Sequence, residues 1–295
     1  MKHRRIRPAL ILACLLSAAA HAAPIDLQDD LGHPVHLDAP ARRIVSLAPH
    51  VTELIYAAGA GEAMVAAVQY SDYPPAAKAL PSVGSYTQAD LEAVVAQRPD
   101  LVIGWRSGNP PTQIDRLRAL GIPVYVSEPR ELASVAHVLR QIGRLAGTEA
   151  AANAAADAFD ARVQALRTRY ASLAPVGVFY QIWDRPLMTV NDEHLISKVI
   201  RLCGGRNVFA SLELLAPKIG TEAVLVADPE TIVASGMGDA RPEWLDAWRQ
   251  WPQLTAVKQD NLFFIPPELI QRHTPRILDG AERLCQQLDT ARQRR

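Results

Sequence analysis

The stretch that decides the fold occurs twice: residues 92–100 read E-A-V-V-A-Q-R-P-D, and residues 222–230 read E-A-V-L-V-A-D-P-E. An apolar run follows each copy, at residues 101–103 and 231–233. Because proline cannot continue a helix, each copy predicts a helix that ends before the proline and a buried strand that begins after it. A chance match of a common α/β junction is the alternative. We favour a duplication, with two similar lobes and a ligand-binding cleft between them.

Short apolar runs alternate with helical segments over the rest of the chain, which predicts mainly parallel sheets covered on both faces. From residue 148 to about 172 the chain is rich in alanine and lacks Gly and Pro, so it predicts one helix of about 25 residues, long enough to span both lobes. The expected fold is α/β, with two Rossmann-like lobes, each a mainly parallel sheet flanked by helices, joined by one long rigid α-helix. The predicted strands are 43–47, 64–68, 101–103, 124–126, 176–180, 231–233 and 262–265, and the predicted helices besides the long one are 50–58, 88–97, 113–120, 130–145 and 275–292.

The N-terminus predicts export. Four basic residues precede an apolar run over residues 8–20, which is too short to cross a bilayer, and Ala20-His21-Ala22 is a small-x-small cleavage signal. Cys14 raises the alternative of a lipoprotein site, but we favour cleavage after Ala22. The divisions are then a signal peptide over 1–22, an N-terminal lobe over 23–146, an interlobe backbone helix over 147–172 and a C-terminal lobe over 173–295.

Charge and cysteine content fit a protein exported to an oxidising compartment. Cleavage removes four of the 31 basic residues and none of the 31 acidic ones, leaving 27 against 31 and a net charge near −4. That balance argues against a nucleic-acid partner and against a basic membrane-binding face. Cys203 and Cys285 remain, and an even number makes a disulfide the default interpretation. A metal site or a redox pair is a weaker alternative, since C-x-x-C and clustered ligands are absent.

No catalytic motif is present. The sequence lacks a G-x-S-x-G elbow, H-E-x-x-H, a phosphate loop and G-x-G-x-x-G. His50, His137, His194 and His273 share no ligand spacing, and a lone histidine is more often a surface or hydrogen-bonding residue than a ligand. We therefore expect neither an enzyme, nor a metal site, nor a resident cofactor.

Aromatic and polar residues instead follow several predicted strands. Ligands of open α/β sheets bind at the carboxyl ends of the strands, so these loops predict a binding surface. Core or capping aromatics are the alternative for any single one of them. The loops are Tyr70-Ser71-Asp72-Tyr73-Pro74-Pro75, Gly84-Ser85-Tyr86, Trp105-Arg106-Ser107-Gly108-Asn109 and Gln181-Ile182-Trp183.

The order of several motifs resembles the periplasmic cobalamin-binding proteins of ABC importers, a class with a rigid helical backbone between its lobes. The resemblance covers essentially the whole mature chain. Haem and siderophore binders of the same fold share R-x-I-V-S-L-A-P and P-D-L-V-I, whereas Y-S-D-Y-P-P together with W-R-x-G-N is more specific to the cobalamin group. The motifs are R-x-I-V-S-L-A-P-x-x-T-E-L (42–54), Y-S-D-Y-P-P (70–75), P-D-L-V-I-x-W-R-x-G-N (99–109), C-G-G-x-N-x-F (203–209) and P-R-I-x-x-x-A-x-x-L-C (275–285).

The resemblance implies a corrinoid held between the lobes. Tyr70, Tyr86 and Trp105 would line the first lobe, with Pro49 and His50 nearby, and the second lobe would contribute the loop from Glu268 to Arg272. The place of Tyr86 is often Trp in the family, and that of Glu268 is commonly Asp. Ala216 stands where a cobalamin binder carries Trp, and Trp183 is expected to compensate from beside it. The expected ligand-binding residues are Pro49, His50, Tyr70, Tyr86, Trp105, Ser107, Gly108, Trp183, Glu268, Leu269, Ile270, Gln271 and Arg272.

The same resemblance implies two further roles. Cys203 and Cys285 match the family disulfide, and Glu92 and Glu222 match two glutamates that dock onto arginines of the membrane permease. The sequence thus predicts a periplasmic, non-enzymatic binding protein, a monomer when free, that carries cobalamin to an ABC importer. A haem or iron-siderophore binder that uses Tyr70 or a His as iron ligand is the alternative of the same class, and a secreted two-lobed enzyme is the alternative of another class.

Overall fold

A computed structural model describes residues 23–236 and 240–295 of the chain. Within those ranges, no helix combines the length and the apolar character that a membrane crossing requires. The signal-peptide prediction over residues 1–22, including Cys14, lies outside the described residues. The described chain opens with an antiparallel hairpin of β1 (Ile25–Gln28) and β2 (Pro34–Leu37). We had not predicted this hairpin, although the side chains of β2 alternate between exposed and buried.

The N-terminal lobe is built on a four-stranded parallel sheet in the order β4-β3-β5-β6. Helices follow the strands, as the predicted alternation requires, and all four residues of β6 are buried. Asp90 caps the helix over Leu91–Ala96 through a bond from the Ala93 amide to its carboxylate (3.0 Å), so this helix begins later than predicted. The elements are β3 (Ile44–Ser46), α1 (Pro49–Ala57), β4 (Met64–Ala67), α2 (Leu91–Ala96), β5 (Leu101–Trp105), α3 (Pro111–Ala119), β6 (Val124–Ser127) and α4 (Leu132–Ala146).

A long helix, α5 (Glu149–Tyr170), leads to the second lobe and has 22 residues, slightly fewer than predicted. It packs closely on α4, since a Cβ on Gly143 would lie 2.3 Å from the Cβ of Ala152. Apolar side chains of both helices belong to one continuous core that also contains residues of both lobes, among them Ile55 and Tyr180. The lobes are therefore joined by a packed core as well as by a helix, which opposes large hinge motion.

The C-terminal lobe repeats the architecture, with a four-stranded parallel sheet in the order β8-β7-β9-β10. Its strand β8 and helix α6 were not predicted. Its elements are β7 (Val176–Gln181), α6 (Leu195–Leu202), β8 (Gly205–Asn207), α7 (Thr221–Ala227), β9 (Thr231–Ala234), α8 (Thr255–Lys258), β10 (Leu262–Phe264), α9 (Pro267–Ile270) and α10 (Ile277–Gln293).

The two lobes match strand for strand, because β3, β4, β5 and β6 take the same relative places as β7, β8, β9 and β10. The acidic residue after each repeated proline, Asp100 or Glu230, accepts hydrogen bonds from backbone amides of its own lobe. The Asp100 carboxylate accepts bonds from the amides of Arg42 and Arg43, just before β3 (2.7 and 2.9 Å). The Glu230 carboxylate accepts a bond from the Gly177 amide in β7 (2.6 Å). The predicted two-lobe α/β fold is confirmed.

The predicted disulfide is also confirmed, between Cys203 after α6 and Cys285 in α10. The two residues are 82 positions apart, and the chain-entropy model gives roughly 4–5 kcal/mol of stabilisation for a loop of that length. The bond ties the last helix of the lobe to the segment that leads into β8.

Candidate functional site

The buried side chain of Asn109 organises the predicted binding loops of the N-terminal lobe. Its Oδ1 accepts a bond from the Trp105 amide (2.6 Å), and its Nδ2 donates to the carbonyl oxygens of Leu47 (2.9 Å) and Tyr86 (2.7 Å). One amide thus ties the carboxyl end of β5 to the segment after β3 and to the loop that carries Tyr86. Asn109 lies in a motif quoted above, but no role was predicted for it.

Gly108 lets this loop close over the indole of Trp105. A Cβ on Gly108 would lie 2.0 Å from Cε3 of that ring, which no side chain could relieve without moving the tryptophan. The preceding residue, Ser107, is anchored to Glu128, to which its hydroxyl and its amide both donate. A shallow depression of about 480 Å³ borders this loop, lined in part by Ser107, Gly108 and Arg130.

Aromatic rings and imidazoles from both lobes meet beside Trp105. His50, in the first turn of α1, stands edge-on to the indole at 4.9 Å between centroids, and Tyr86 lies 6.0 Å from it. His273, in the loop between α9 and α10, approaches His50 at 5.7 Å and His194 at 5.6 Å. We call these five residues the ring cluster. It brings together three predicted ligand-binding residues from one lobe and adds two histidines from the other.

Three of the four histidines that share no spacing in the sequence lie close together in the structure. His50, His194 and His273 converge because the fold brings together two lobes, a relation that no sequence spacing displays. Only His137, exposed on α4, lies apart. The described residues nonetheless contain no group of three or more His, Cys, Asp or Glu side chains able to hold a metal ion.

Burial keeps the three histidines of the ring cluster neutral. It lowers the pKa of His273 to about 4 and that of His194 to about 3, in the latter case with help from nearby His273 and Arg130. For His50, burial first and then the proximity of His273 and Arg272 hold the pKa well below 6.5. A protonated imidazole would bring an uncompensated charge into the contact between the lobes.

We predict that this burial makes the protein lose stability in mild acid. Above the unfolded pKa of 6.5 neither state holds the proton, whereas below it the unfolded chain binds protons that the folded chain does not. The free energy of unfolding should therefore fall as pH drops from about 6.5 towards 4, by up to about 1.4 kcal/mol per pH unit for each histidine. Urea unfolding between pH 7 and pH 5 should give a shallower dependence for His273→Gln than for wild type or His137→Gln. Equal slopes in all three proteins would contradict the prediction.

A buried ion network joins the lobes next to the ring cluster. The Glu53 side chain in α1 is only 2 % exposed and accepts bonds from Arg272 Nη1 (2.7 Å) and from Arg276 Nε and Nη2 (3.0 and 2.8 Å). Arg272 Nη1 also pairs with Asp72 (2.7 Å). No role was predicted for Glu53, because a glutamate in a helix is ordinarily a surface residue.

The other predicted binding residues lie around this network. Tyr70 is 74 % exposed, and its carbonyl oxygen accepts a bond from Arg272 Nη2 (3.2 Å). Pro49 begins α1 beside His50, and Glu268 and Leu269 lie half-buried in α9. Ile270 is fully buried in the main core, and Gln271 donates to Ser235 Oγ (2.8 Å), so both hold the loop in place.

The C-terminal aromatic stands apart from the ring cluster. Trp183 follows β7, is 38 % exposed, and donates its indole N–H to the carbonyl oxygen of Arg185 (3.0 Å). No ring contact between it and the cluster is present in the described part of the chain. Ala216 is half-buried in the segment whose neighbours Leu215 and Pro217 bond to residues 191 and 189. Compensation of Ala216 by Trp183 therefore stays a prediction.

The two predicted docking glutamates occupy equivalent positions. Glu92 is the second residue of α2 and Glu222 the second residue of α7, and both are exposed. Each helix directly precedes the third strand of its lobe's sheet in chain order, β5 or β9. Glu92 and Glu222 therefore occupy the same position in the two lobes.

Asn109→Ala should destabilise the loops of the N-terminal lobe that line the cleft. The substitution leaves three backbone groups near Trp105 without their partner, and unpaired buried polar groups cost about 1–3 kcal/mol each, so we expect unfolding to become easier by at least about 2 kcal/mol. Thermal and urea unfolding measure this directly. Asn153→Ala, on the exposed side of α5, is the matched control. Equal stability of the two variants would show that the Asn109 bonds do not hold the loops.

A protein-family model and several known proteins are similar to this chain in sequence. The sequence model of the periplasmic binding protein family matches residues 44–269. The vitamin B12-binding protein of Vibrio cholerae serotype O1 is 39 % identical over 253 residues, which are 85 % of this chain and 91 % of that protein. That of Yersinia pestis (strain Pestoides F) is 38 % identical over 248 residues, covering 84 % and 86 %.

Solved structures agree with the architecture. The crystal structure of the periplasmic vitamin B12-binding protein BtuF of Vibrio cholerae has a TM-score of 0.80 at 39 % identity, covering 86 % of this chain and 98 % of that one. The periplasmic haem-binding protein RhuT from Roseiflexus sp. RS-1 has a TM-score of 0.74 at 22 % identity, covering 85 % and 99 %. The second likeness shows the fold alone.

Proposed function

We propose a cargo and a partner for this chain, which belongs to the periplasmic binding protein family. It captures cobalamin in the cleft between its lobes and delivers it to the transmembrane permease of an ABC importer. Cobalamin is then the transported ligand and not a resident cofactor, and the protein acts without catalysis. Export through a cleaved signal peptide places it in the periplasm.

The observation that carries this proposal is the identity of 39 % to a vitamin B12-binding protein, over nearly the whole length of both chains. The site supports it. Trp105 at the carboxyl end of β5 and Tyr86 beside it offer flat apolar surface. The continuous core through α4 and α5 holds the two walls at a nearly fixed spacing, so we expect closure around the ligand to be small.

A haem binder of the same fold is the second candidate. His50 Nε2 and His273 Nδ1 are buried without a hydrogen-bond partner in the described part of the chain, and histidine is a common axial ligand of haem iron. The similarity to the haem-binding structure is limited to the fold, which makes haem the weaker choice. The two cargoes differ in their metal, charge and absorption spectrum, so direct binding separates them.

Trp105→Ala should weaken cobalamin binding by roughly 1–3 kcal/mol, the range for losing a buried aromatic contact. Tyr70→Ala should act in the same direction, because its ring is open to a ligand at the mouth of the cleft. Calorimetric titration with cyanocobalamin gives the affinities, and Trp105→Phe, which keeps an aromatic face, should lose less than Trp105→Ala. Wild-type affinity in both alanine variants would show that the pocket lies elsewhere.

A further inference from the structure

The shallow depression beside Trp105 carries positive charge. Its volume is about 480 Å³, and two arginines line it, Arg106 and Arg130. Arg106 belongs to the W-R-x-G-N motif and directly follows Trp105 at the end of β5. Its amide donates to the carbonyl oxygen of Ser127 in β6 (3.1 Å), so the backbone is fixed at the root of an exposed side chain.

The guanidinium groups of both arginines are accessible to an anion. In the described part of the chain, the Arg106 side chain forms no hydrogen bond or ion pair. Arg130 is 50 % exposed and pairs with Glu128 (3.4 Å) and, in the other lobe, with Glu193 (3.1 Å). Glu128 is already bonded to the hydroxyl and the amide of Ser107. Glu193 is 67 % exposed, and exposed pairs are worth about 1 kcal/mol or less, so an anion can take its place beside Arg130.

The rest of the lining favours the same sign of ligand charge. None of the described residues that line the depression is acidic, and Thr87 adds a hydroxyl group. Pro111, at the start of α3, lies in the same wall, where the positive end of that helix dipole adds to the two charges. Two guanidinium groups in one open depression match the geometry of phosphate oxygens.

The depression adjoins the aromatic surface of the proposed cleft. Thr87 directly follows Tyr86, whose carbonyl oxygen accepts a bond from the lining residue Asn109 (2.7 Å). Gly108, also in the lining, lies against the indole of Trp105. A corrinoid ring beside Trp105 and Tyr86 would therefore bring groups at its rim over the depression. Cobalamin carries one phosphodiester, in the nucleotide loop attached to that rim.

We propose that the depression is the subsite for the phosphodiester of the cargo, with Arg106 and Arg130 as its charged donors. The inference rests on the proposed function and adds to it a group by which the protein selects its cargo. A phosphodiester has a single negative charge at neutral pH and two free oxygens, one for each guanidinium group. A corrinoid without the nucleotide loop has no phosphate there and should bind less tightly.

Cyanocobalamin and dicyanocobinamide test the subsite, because the second has the same ring but no phosphate. In calorimetric titrations, wild type should prefer cyanocobalamin, and high salt should reduce that preference. Arg106→Gln should weaken cyanocobalamin binding about fivefold, and Arg106→Gln with Arg130→Gln about 20-fold, the scale of exposed charge pairs. Neither variant should change the affinity for dicyanocobinamide. Arg116→Gln, an exposed arginine of α3 outside the depression, is the matched control and should leave both affinities unchanged.

Two results with these corrinoids would overturn the inference. Equal weakening of both corrinoids in Arg106→Gln would show that the arginine only supports the loop, and unchanged binding of cyanocobalamin would show that it has no part in the site. In either case wild type still binds cyanocobalamin, so the proposed function stands. If wild type binds neither corrinoid, the proposed function and the inference both fail.

Inorganic phosphate is the other source of the same chemistry, and a titration with phosphate alone separates the two. We expect no saturable heat from it, because the cargo ring supplies most of the contact area. Saturable heat that disappears in Arg106→Gln, with the affinity for cyanocobalamin unchanged, would assign the depression to the free ion and overturn its assignment to the cargo.

Discussion

Reversing the charge of both docking glutamates, Glu92→Arg with Glu222→Arg, should abolish cobalamin transport while leaving cobalamin binding intact. The two carboxylates lie at equivalent exposed positions of α2 and α7, and the packed core between the lobes holds them at a nearly fixed separation. A permease with arginines at the matching distance would engage both at once, through charge-assisted pairs that are strong and geometrically specific. Two arginines in their place would repel such a partner.

If these glutamates act only within their own helices, a different result is expected. A carboxylate in the first turn of a helix favours the helix dipole by about 0.3–1 kcal/mol, so reversal would slightly destabilise the protein and do nothing further. Glu149→Arg, in the exposed first turn of α5, is the matched control for that effect. Uptake of radiolabelled cyanocobalamin should be normal with Glu149→Arg and absent with the double variant. Normal uptake by a folded, cobalamin-loaded double variant would rule out docking through these residues.

Glu53→Ala should lower the free energy of unfolding by roughly 3–5 kcal/mol, the range for removing one partner of a buried ion pair. The substitution leaves Arg276 with no carboxylate and leaves Arg272 with Asp72 alone. The side chains of both arginines are less than 20 % exposed, so water cannot replace the lost partner fully.

Asp72→Ala is the control for this prediction. The Asp72 side chain is 52 % exposed, and pairs of that kind are worth about 1 kcal/mol or less. Urea unfolding monitored by circular dichroism should therefore separate the two variants by several kcal/mol. Equal loss in both would show that Glu53 does not hold the lobes together.

The fold could be predicted because its signals are local. Apolar runs bounded by proline gave β5 and β9, and the alanine-rich segment gave α5, with ends that differ by a few residues where caps such as Asp90 decide them. The hairpin of β1 and β2 was missed because its strands alternate exposed with more buried residues and contain no continuous apolar run. Helix α6 was missed although one side of it is apolar, because its eight residues give only about two helical turns of pattern.

Only the part of the site that belongs to the N-terminal lobe could be predicted from the sequence. Trp105 and Tyr86 follow strands or precede helices in recognisable motifs, so their neighbourhood could be inferred from the chain order. His50, His194 and His273 are 79 to 223 positions apart in the sequence, and only the packing of one lobe on the other brings them together. The structural role of Glu53 likewise depends on hydrogen bonds from arginines more than 200 positions away, which no local pattern reveals.

Binding of the cargo itself tests the central claim most directly. Purified mature protein should be titrated with cyanocobalamin and with haemin, each followed by calorimetry and by absorption spectra. We expect saturable one-to-one binding of cyanocobalamin and much weaker binding of haemin. Tight one-to-one binding of haemin with a shifted Soret band, and no heat from cyanocobalamin, would contradict the assignment of cobalamin as the cargo.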